Sequence, residues 1–481
     1  MPTTRFAGRV LVLGAGSVSQ CAVPLLVDHL VDRPDRITIM DFVDNRDRFK
    51  AVLAKGVGYV SGRVTPENLA TVLGEHVSRG DLLIDLAWNI HTPTILAWCH
   101  ESGVLYMNTS VEVWDPYEDA GSLTPQERTL YVRHIELRRL RDTWQDPGPT
   151  AVVDHGANPG LVSHFVKRAL RDIGERAVTD GIASPAARDA LEADRYPELA
   201  EALGVKVIHI AERDTQIADR PKRVNEFVNT WSISGFLEEG VAPAELGWGT
   251  HETTLPAGAY LHEEGPRNQI CIARPGAMTW VRSWVPHAEI NGMVIRHGEA
   301  FTMSDHLTVR DTDGTVRYRP TVHYAYCPTD AAIASLRELS ARNWTLQDEL
   351  RIMNDEIIDG EDRLGVLLMG HPYKAWWTGS LLSIHDARRL APGQSATTLQ
   401  VAAGVLAACT WIVANPDRGI TVPDDIPWRE ALAVADPYLG ERWSGPADWT
   451  PAKHRLDVFE KWAPRPYDDE DVWRFGNFLV D

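Results

Sequence analysis

A chain of 481 residues exceeds what one hydrophobic core usually serves, and 44% apolar with 24% charged residues carries no signature of disorder. Lys plus Arg (48) against Asp plus Glu (67) leave a formal charge of −19, which argues against nucleic acid as a partner and suits a protein that draws in cations. Cys21, Cys99, Cys271, Cys327 and Cys409 are widely spaced with no CxxC, so neither a disulfide framework nor a metal site is expected. No apolar run of the roughly 20 residues that cross a bilayer is expected, and the N-terminus lacks a secretory pattern, so the expected setting is cytoplasmic and away from membranes.

Residues 9–13, RVLVL, read as a buried strand, and Gly14-Ala15-Gly16-Ser17-Val18-Ser19 leads into a segment of helical apolar spacing. Strand, glycine turn and helix in that order suit a dinucleotide. Gly14 permits the tight turn, Gly16 lets the backbone approach a pyrophosphate, and the N–H groups of Ser17 and Val18 begin a helix whose positive end favours an anion. A second strand, residues 36–40, ends in Asp41, placed to bond the adenosine ribose and repel a 2′-phosphate, so NAD is favoured over NADP, with Arg46 and Arg48 close by.

Apolar runs at 82–87 and 104–110 flank a helical segment and continue a parallel sheet. Topology places Trp88, Asn89, Asn108 and Glu112 at carboxyl strand ends, near a nicotinamide or its substrate, although each also suits a turn or a cap. A charged helix precedes a turn-rich break at 145–150. Asn158-Pro159 reads as a helix N-cap with proline in the first position, an arrangement that leaves the Asn158 amide able to orient a reacting nitrogen.

Residues 207–249 combine Glu212, Asp214, Glu226, Glu238, Glu239 and Glu245 with Trp231 and Trp248 in segments whose alternation reads as strand. Acids beside indole faces suit a protonated amine, although core aromatics with an acidic rim have the same composition. Residues 293–303 read as a strand on which His297 and Glu299 share a face, able to move protons or shape an amine site. Lys374 has the chemistry for a Schiff base, but a surface lysine is the simpler reading. Residues 395–414 read as a long apolar-faced helix, and acids recur at 468–471.

The blocks DHGANPGLVSHFVK (154–167), HIAERDTQ (209–216), VNTWSISGF (228–236), PAELGWGT (243–250), RPTVHYAY (319–326) and LGVLLMGH (364–371) resemble the bacterial homospermidine synthase family, a saccharopine-dehydrogenase-like group. The similarity runs over nearly the whole chain. It departs at Ser19, in a linker at 186–203 and around 255–268. The resemblance implies an α/β protein in three parts: an NAD-binding Rossmann domain with a parallel sheet (1–153), a larger α+β substrate and dimerisation domain with a mixed, mainly antiparallel sheet (154–394), and a C-terminal helical segment packing back on the first domain (395–481).

It also implies a homodimer and a redox-neutral aminobutyl transfer. Bound NAD takes a hydride from putrescine or spermidine, a second putrescine attacks the imine, ammonia or diaminopropane leaves, and the new imine is reduced again. The resemblance assigns Trp231 to cation–π holding of the amine, Glu212 and Glu239 to the carboxylates around the amines, Asn158 and Glu112 to the inner site, and Asp362 to the substrate entrance. Asn89, His297 and Glu299 join the expected substrate contacts, and Gly14, Gly16, Ser17, Val18, Asp41 and Asn108 those to NAD. Two rivals remain: a saccharopine or carboxynorspermidine type of dehydrogenase with net use of dinucleotide, and a non-catalytic NAD-binding polyamine sensor. The first needs a cationic clamp for a carboxylate, and the central stretch offers Arg213, Arg220, Lys222 and Arg223.

Overall fold

The computed structural model describes residues 5–118, 121–454, 459, 461, 462, 468 and 470–480. Val10–Leu13 lies inside a seven-stranded, wholly parallel sheet. Its order is Ile420–Thr421, Ala151–Val152, Leu105–Asn108, Leu82–Asp85, Val10–Leu13, Ile37–Asp41, Gly58–Ser61. Helices cover this sheet on both faces, which is why its strands are continuous apolar runs. Chain order runs outward in opposite directions from the pair Val10–Leu13 and Leu82–Asp85, so a crevice opens at their carboxyl ends.

The second sheet has eleven strands and is antiparallel except where Val207–Asp214 pairs with Thr321–Cys327. On its other side Val207–Asp214 pairs with Glu361–Met369, followed by Ala375–Ser383 and Glu441–Ala447. The expected α/β architecture, a parallel first sheet and a mixed, mainly antiparallel second one, therefore holds.

Several local expectations do not hold. Within 207–249 a helix, Ile233–Val241, interrupts the strands and carries Glu238 and Glu239. Ile233, Phe236, Leu237 and Gly240 follow helical spacing, and the Ser232 side chain caps the first turn by accepting from Gly235 N. Residues 293–303 are not one strand. The hairpin partner ends at Trp280, opposite Met293, the Val294 N–H makes a last bond to the Thr279 carbonyl, and Glu299–His306 turns into a helix.

The helix after Asn158-Pro159 begins at Leu161 with Gly160 as its N-cap, so Asn158 is not the cap. The supposed linker at 186–203 is a helical pair, Pro185–Glu192 and Tyr196–Leu203, packed on Leu161–Thr179.

Contrary to expectation, one helix among the described residues, Ala396–Ala414, is long and apolar enough to cross a bilayer by length and composition. Its window has a mean hydropathy of 1.6 but is 78% buried in protein, the state of a core helix. It is buried nearly all round rather than on one face, against Ser17–His29 and Trp428–Ala435. The stretch after 395 serves both lobes rather than the first alone. Ile420–Thr421 is an edge of the parallel sheet, whereas Glu441–Ala447 and Leu479–Val480 join the second. In the acidic tail Asp471 pairs with Lys206 at 2.6 Å, and Asp469 lies outside the described residues.

Candidate active site

Gly14 has φ +89°, and a Cβ there would lie 2.6 Å from the Leu86 carbonyl, so this turn tolerates only glycine. Gly16 is the N-cap of Ser17–His29, and a Cβ there would face open space, which leaves room for a phosphate over the first N–H groups of Ser17 and Val18. Ser19, the departure from the fingerprint, donates its hydroxyl to the Gly14 carbonyl at 2.5 Å and ties the turn together. Asp41 accepts from Ala15 N at 2.6 Å and Val43 N at 2.8 Å, which holds an anion at the lip of the turn. Arg46 is paired with Asp44 and lies over Tyr59. These residues fit a dinucleotide with a free 2′-hydroxyl.

Around the nicotinamide end the expectations divide. Asn108 is buried with its amide engaged inside the protein, donating to Tyr106 Oη and accepting from Asp154 N. Asn89, at φ 63°, keeps an enclosed Oδ1 without a partner.

The second sheet gathers a cluster of buried acids. Register places Asp214 opposite Asp362 and Glu212 beside Tyr326. Asn158 donates to Glu212 Oε2 at 2.6 Å, and the Tyr324 hydroxyl donates to the same oxygen. Asp214 accepts from Thr230 at 2.8 Å, and Asp362 accepts from Thr397 at 2.7 Å while its Oδ1 has no partner.

None of the three acids has a lysine or arginine ion-pair partner among the described residues. Burial, with the neighbouring Asp214, pushes Glu212 up to about 7 against the hydrogen bond from Tyr324. Burial and then the charges of Glu212 and Asp214 raise Asp362 well above the usual carboxylate range. Three enclosed carboxyl groups with no lysine or arginine paired to them among the described residues favour a cation from outside. Asp362 therefore belongs to this buried group and not to an entrance.

Trp231 stands half-buried just before helix Ile233–Val241, and its indole N–H donates to Tyr326 Oη at 2.9 Å. Tyr326 stacks on Tyr324 with centroids 5.1 Å apart. A continuous path thus runs from the indole through two tyrosines to Glu212 and Asn158. Tyr324 and Tyr326 carry no expected role, although tyrosines two apart in a strand share a face and signal a common wall. Thr397 is equally unforeseen, because its helix reads as purely structural.

A cleft between the lobes is lined by Ser110, Glu112, Pro159, Glu239, Arg296 and His297. His297 lies 3.4 Å from Glu239 and 3.4 Å from Glu299, and its ring meets Tyr324 edge-on at 4.4 Å. Burial alone would lower this imidazole, but the two carboxylates outweigh it and push it up to about 10, so it is an imidazolium at neutral pH. Glu112 accepts from Ser110 Oγ at 2.6 Å, and burial followed by the charge of Glu238 pushes it up to about 7.

Other acids and cations stand apart. Glu226 pairs with Arg351, Glu245 holds Leu130 N, and Trp248 packs against Phe475. Lys374 is exposed and paired with Asp448 at 2.6 Å, away from any desolvated pocket, which removes the basis for a Schiff base.

Two family profiles match the chain in succession: "Saccharopine dehydrogenase NADP binding domain" matches residues 10–152 and "Saccharopine dehydrogenase C-terminal domain" residues 156–442. Homospermidine synthase of Blastochloris viridis is 40% identical over 99% of this chain and 98% of its own. That of Mesorhizobium japonicum is 38% identical over 98% of this chain and 96% of its own. The crystal structure of homospermidine synthase from Legionella pneumophila in complex with NAD superposes with a TM-score of 0.88 at 38% identity, covering 99% of each chain. With sequence, domain pairing and three-dimensional shape in agreement over nearly its full length, the chain belongs to the homospermidine synthase family of saccharopine-dehydrogenase-like proteins.

Proposed function

We propose that the protein is an NAD-dependent homospermidine synthase, moving an aminobutyl group from putrescine or spermidine onto putrescine without net oxidation. The observation that carries this reading is the group Glu212, Asp214 and Asp362, buried with no lysine or arginine ion-pair partner among the described residues, beside Tyr324, Tyr326 and Trp231. When bound, NAD accepts two electrons from the amine-bearing carbon and later returns them.

The chain's own residues do the rest. The acid group holds one ammonium of the diamine, while Glu212, near neutrality in its proton affinity, accepts a proton from the amine that must react as a free base. Asn158 fixes the Glu212 carboxylate. Trp231 offers a π face to the positively charged nitrogen that develops as the amine becomes an iminium. Glu239 and Glu112, across the cleft, receive the second amine, and His297, paired through its other nitrogen with Glu299, holds Glu239 in place.

The net dehydrogenase is disfavoured because three of the four cations the central stretch offers for its clamp are already engaged: Arg213 with Asp330, Arg220 with Glu226 and Lys222 with Glu338. One assay tests the reading. Purified protein is incubated with putrescine and a trace of NAD while ammonia, homospermidine and reduced nicotinamide are followed. Many turnovers of ammonia without accumulating reduced nicotinamide support the synthase, stoichiometric reduction supports the dehydrogenase, and no turnover supports a sensor. The same reading carries a homodimer in a cytoplasmic setting, and light scattering on the purified chain distinguishes one 53.6 kDa chain from two.

A further inference from the structure

Glu238 adjoins Glu239 in the chain but has different partners. Its buried carboxylate accepts from Trp88 Nε1 at 2.9 Å, Arg133 Nη2 at 2.9 Å and Arg296 Nη2, three donors from separate parts of the chain. Two of the donors hold or adjoin a residue lining the cleft. Arg133 donates its other terminal nitrogen to the Val111 carbonyl at 2.8 Å, immediately before Glu112. Arg296 precedes His297, the partner of Glu239.

Two guanidiniums around one carboxylate leave a positive charge to be balanced. Glu112, whose Oε2 is enclosed and unpartnered, lines the same cleft and interacts with both. We propose that Glu238 is a positioning residue for the amine chemistry: it joins Arg133, Arg296 and Trp88 into one anchor that orients Glu112 and His297 from opposite lobes and sets the charge that Glu112 presents to an ammonium. This rests on the reading that the cleft takes diamines.

The charged groups facing Glu112 are Glu238, Arg133 and Arg296, with Ser110 donating. Burial, then Glu238, holds its proton affinity up, and the arginines and Ser110 oppose them. Neutralising Glu238 leaves both arginines unopposed, so Glu112 ionises at lower pH.

The test is calorimetric binding of putrescine to NAD-loaded wild-type protein, E238Q, E238D and W88F from about pH 5 to about pH 9. Glu238→Gln is expected to move the acid midpoint of binding down by roughly 1 pH unit. Glu238→Asp keeps the charge but shortens the reach, so it is expected to keep the midpoint and weaken binding roughly tenfold. Trp88→Phe is expected to weaken binding a few-fold with the midpoint unmoved. An unmoved midpoint in E238Q, or wild-type affinity in E238D, would overturn the assignment, and the E238D arm decides if E238Q does not fold. No putrescine binding to wild-type protein would instead overturn the reading of the cleft, and this assignment with it.

Discussion

The indole N–H of Trp231 donates to the hydroxyl of Tyr326 at 2.9 Å, which fixes the plane of a half-buried ring beside the acid group. Trp231→Phe keeps a π face but loses this anchor, and Trp231→Ala loses both. Turnover of putrescine is expected to fall roughly 10-fold or more in W231A and less in W231F, since a desolvated cation–π contact contributes about 2 kcal/mol. Equal kcat/KM in all three proteins would remove Trp231 from the site.

Asn158 donates to Glu212 at 2.6 Å, a hydrogen bond to a charged acceptor that favours the ionised form. Asn158→Ala removes it and raises the proton affinity of Glu212 further above its present value of about 7. The acid limb of kcat/KM is expected to move to higher pH, with a loss at neutral pH of roughly 10- to 100-fold, as for about 1.5–3 kcal/mol. A limb that stays in place would mean that another group sets it.

The buried acids make stability depend on pH with a definite sign. Glu212 rises from an ordinary 4.5 to about 7 in the folded protein. Its favourable contribution is therefore complete below about 4.5 and is lost as pH climbs through about 7, and Asp362 acts in the same direction. Melting temperature is expected to fall from mildly acidic to mildly alkaline solution, to fall less in Asp362→Asn, and to recover when putrescine is added. Identical pH slopes for wild type and D362N would contradict this.

Asp41 holds its carboxylate at the lip of the glycine turn through Ala15 N and Val43 N. Asp41→Asn keeps an acceptor but removes the charge that repels a 2′-phosphate. Discrimination between NAD and NADP, measured as the ratio of dissociation constants by fluorescence titration, is expected to narrow roughly tenfold. An unchanged ratio would place the selectivity elsewhere.

Lys374 is exposed and paired with an equally exposed Asp448. Lys374→Ala is expected to leave turnover unaltered, because surface ion pairs contribute little. Trapping of a reduced amine adduct at this lysine by borohydride would refute that.

Much of the first lobe was legible because a parallel sheet buried on both faces writes itself as uninterrupted apolar runs, and Gly14, Gly16 and Asp41 sit at fixed offsets from one of them. The second lobe was less legible. Residues 233–241 follow strand-like composition until the Ser232 cap and the spacing of Ile233, Phe236, Leu237 and Gly240 are considered together. Residues 293–303 lose their strand because the partner at Trp280 ends, which no local pattern records. Asn158 could be singled out as polar beside proline, but its bond to Glu212 spans 54 positions.

What the sequence alone determined was the order of the elements in the first lobe, the dinucleotide turn and the chemical types gathered in the central stretch, because these follow from local periodicity and from motifs read along the chain. What only the tertiary structure decided was which acids share a cluster. Asp214 meets Asp362 through strand register, Thr397 reaches both from a helix otherwise buried in the core, and Glu238 is neutralised by arginines 105 and 58 positions away. Proton affinity and charge balance depend on distance and burial in space, and a carboxylate's neighbours in the chain leave both undetermined.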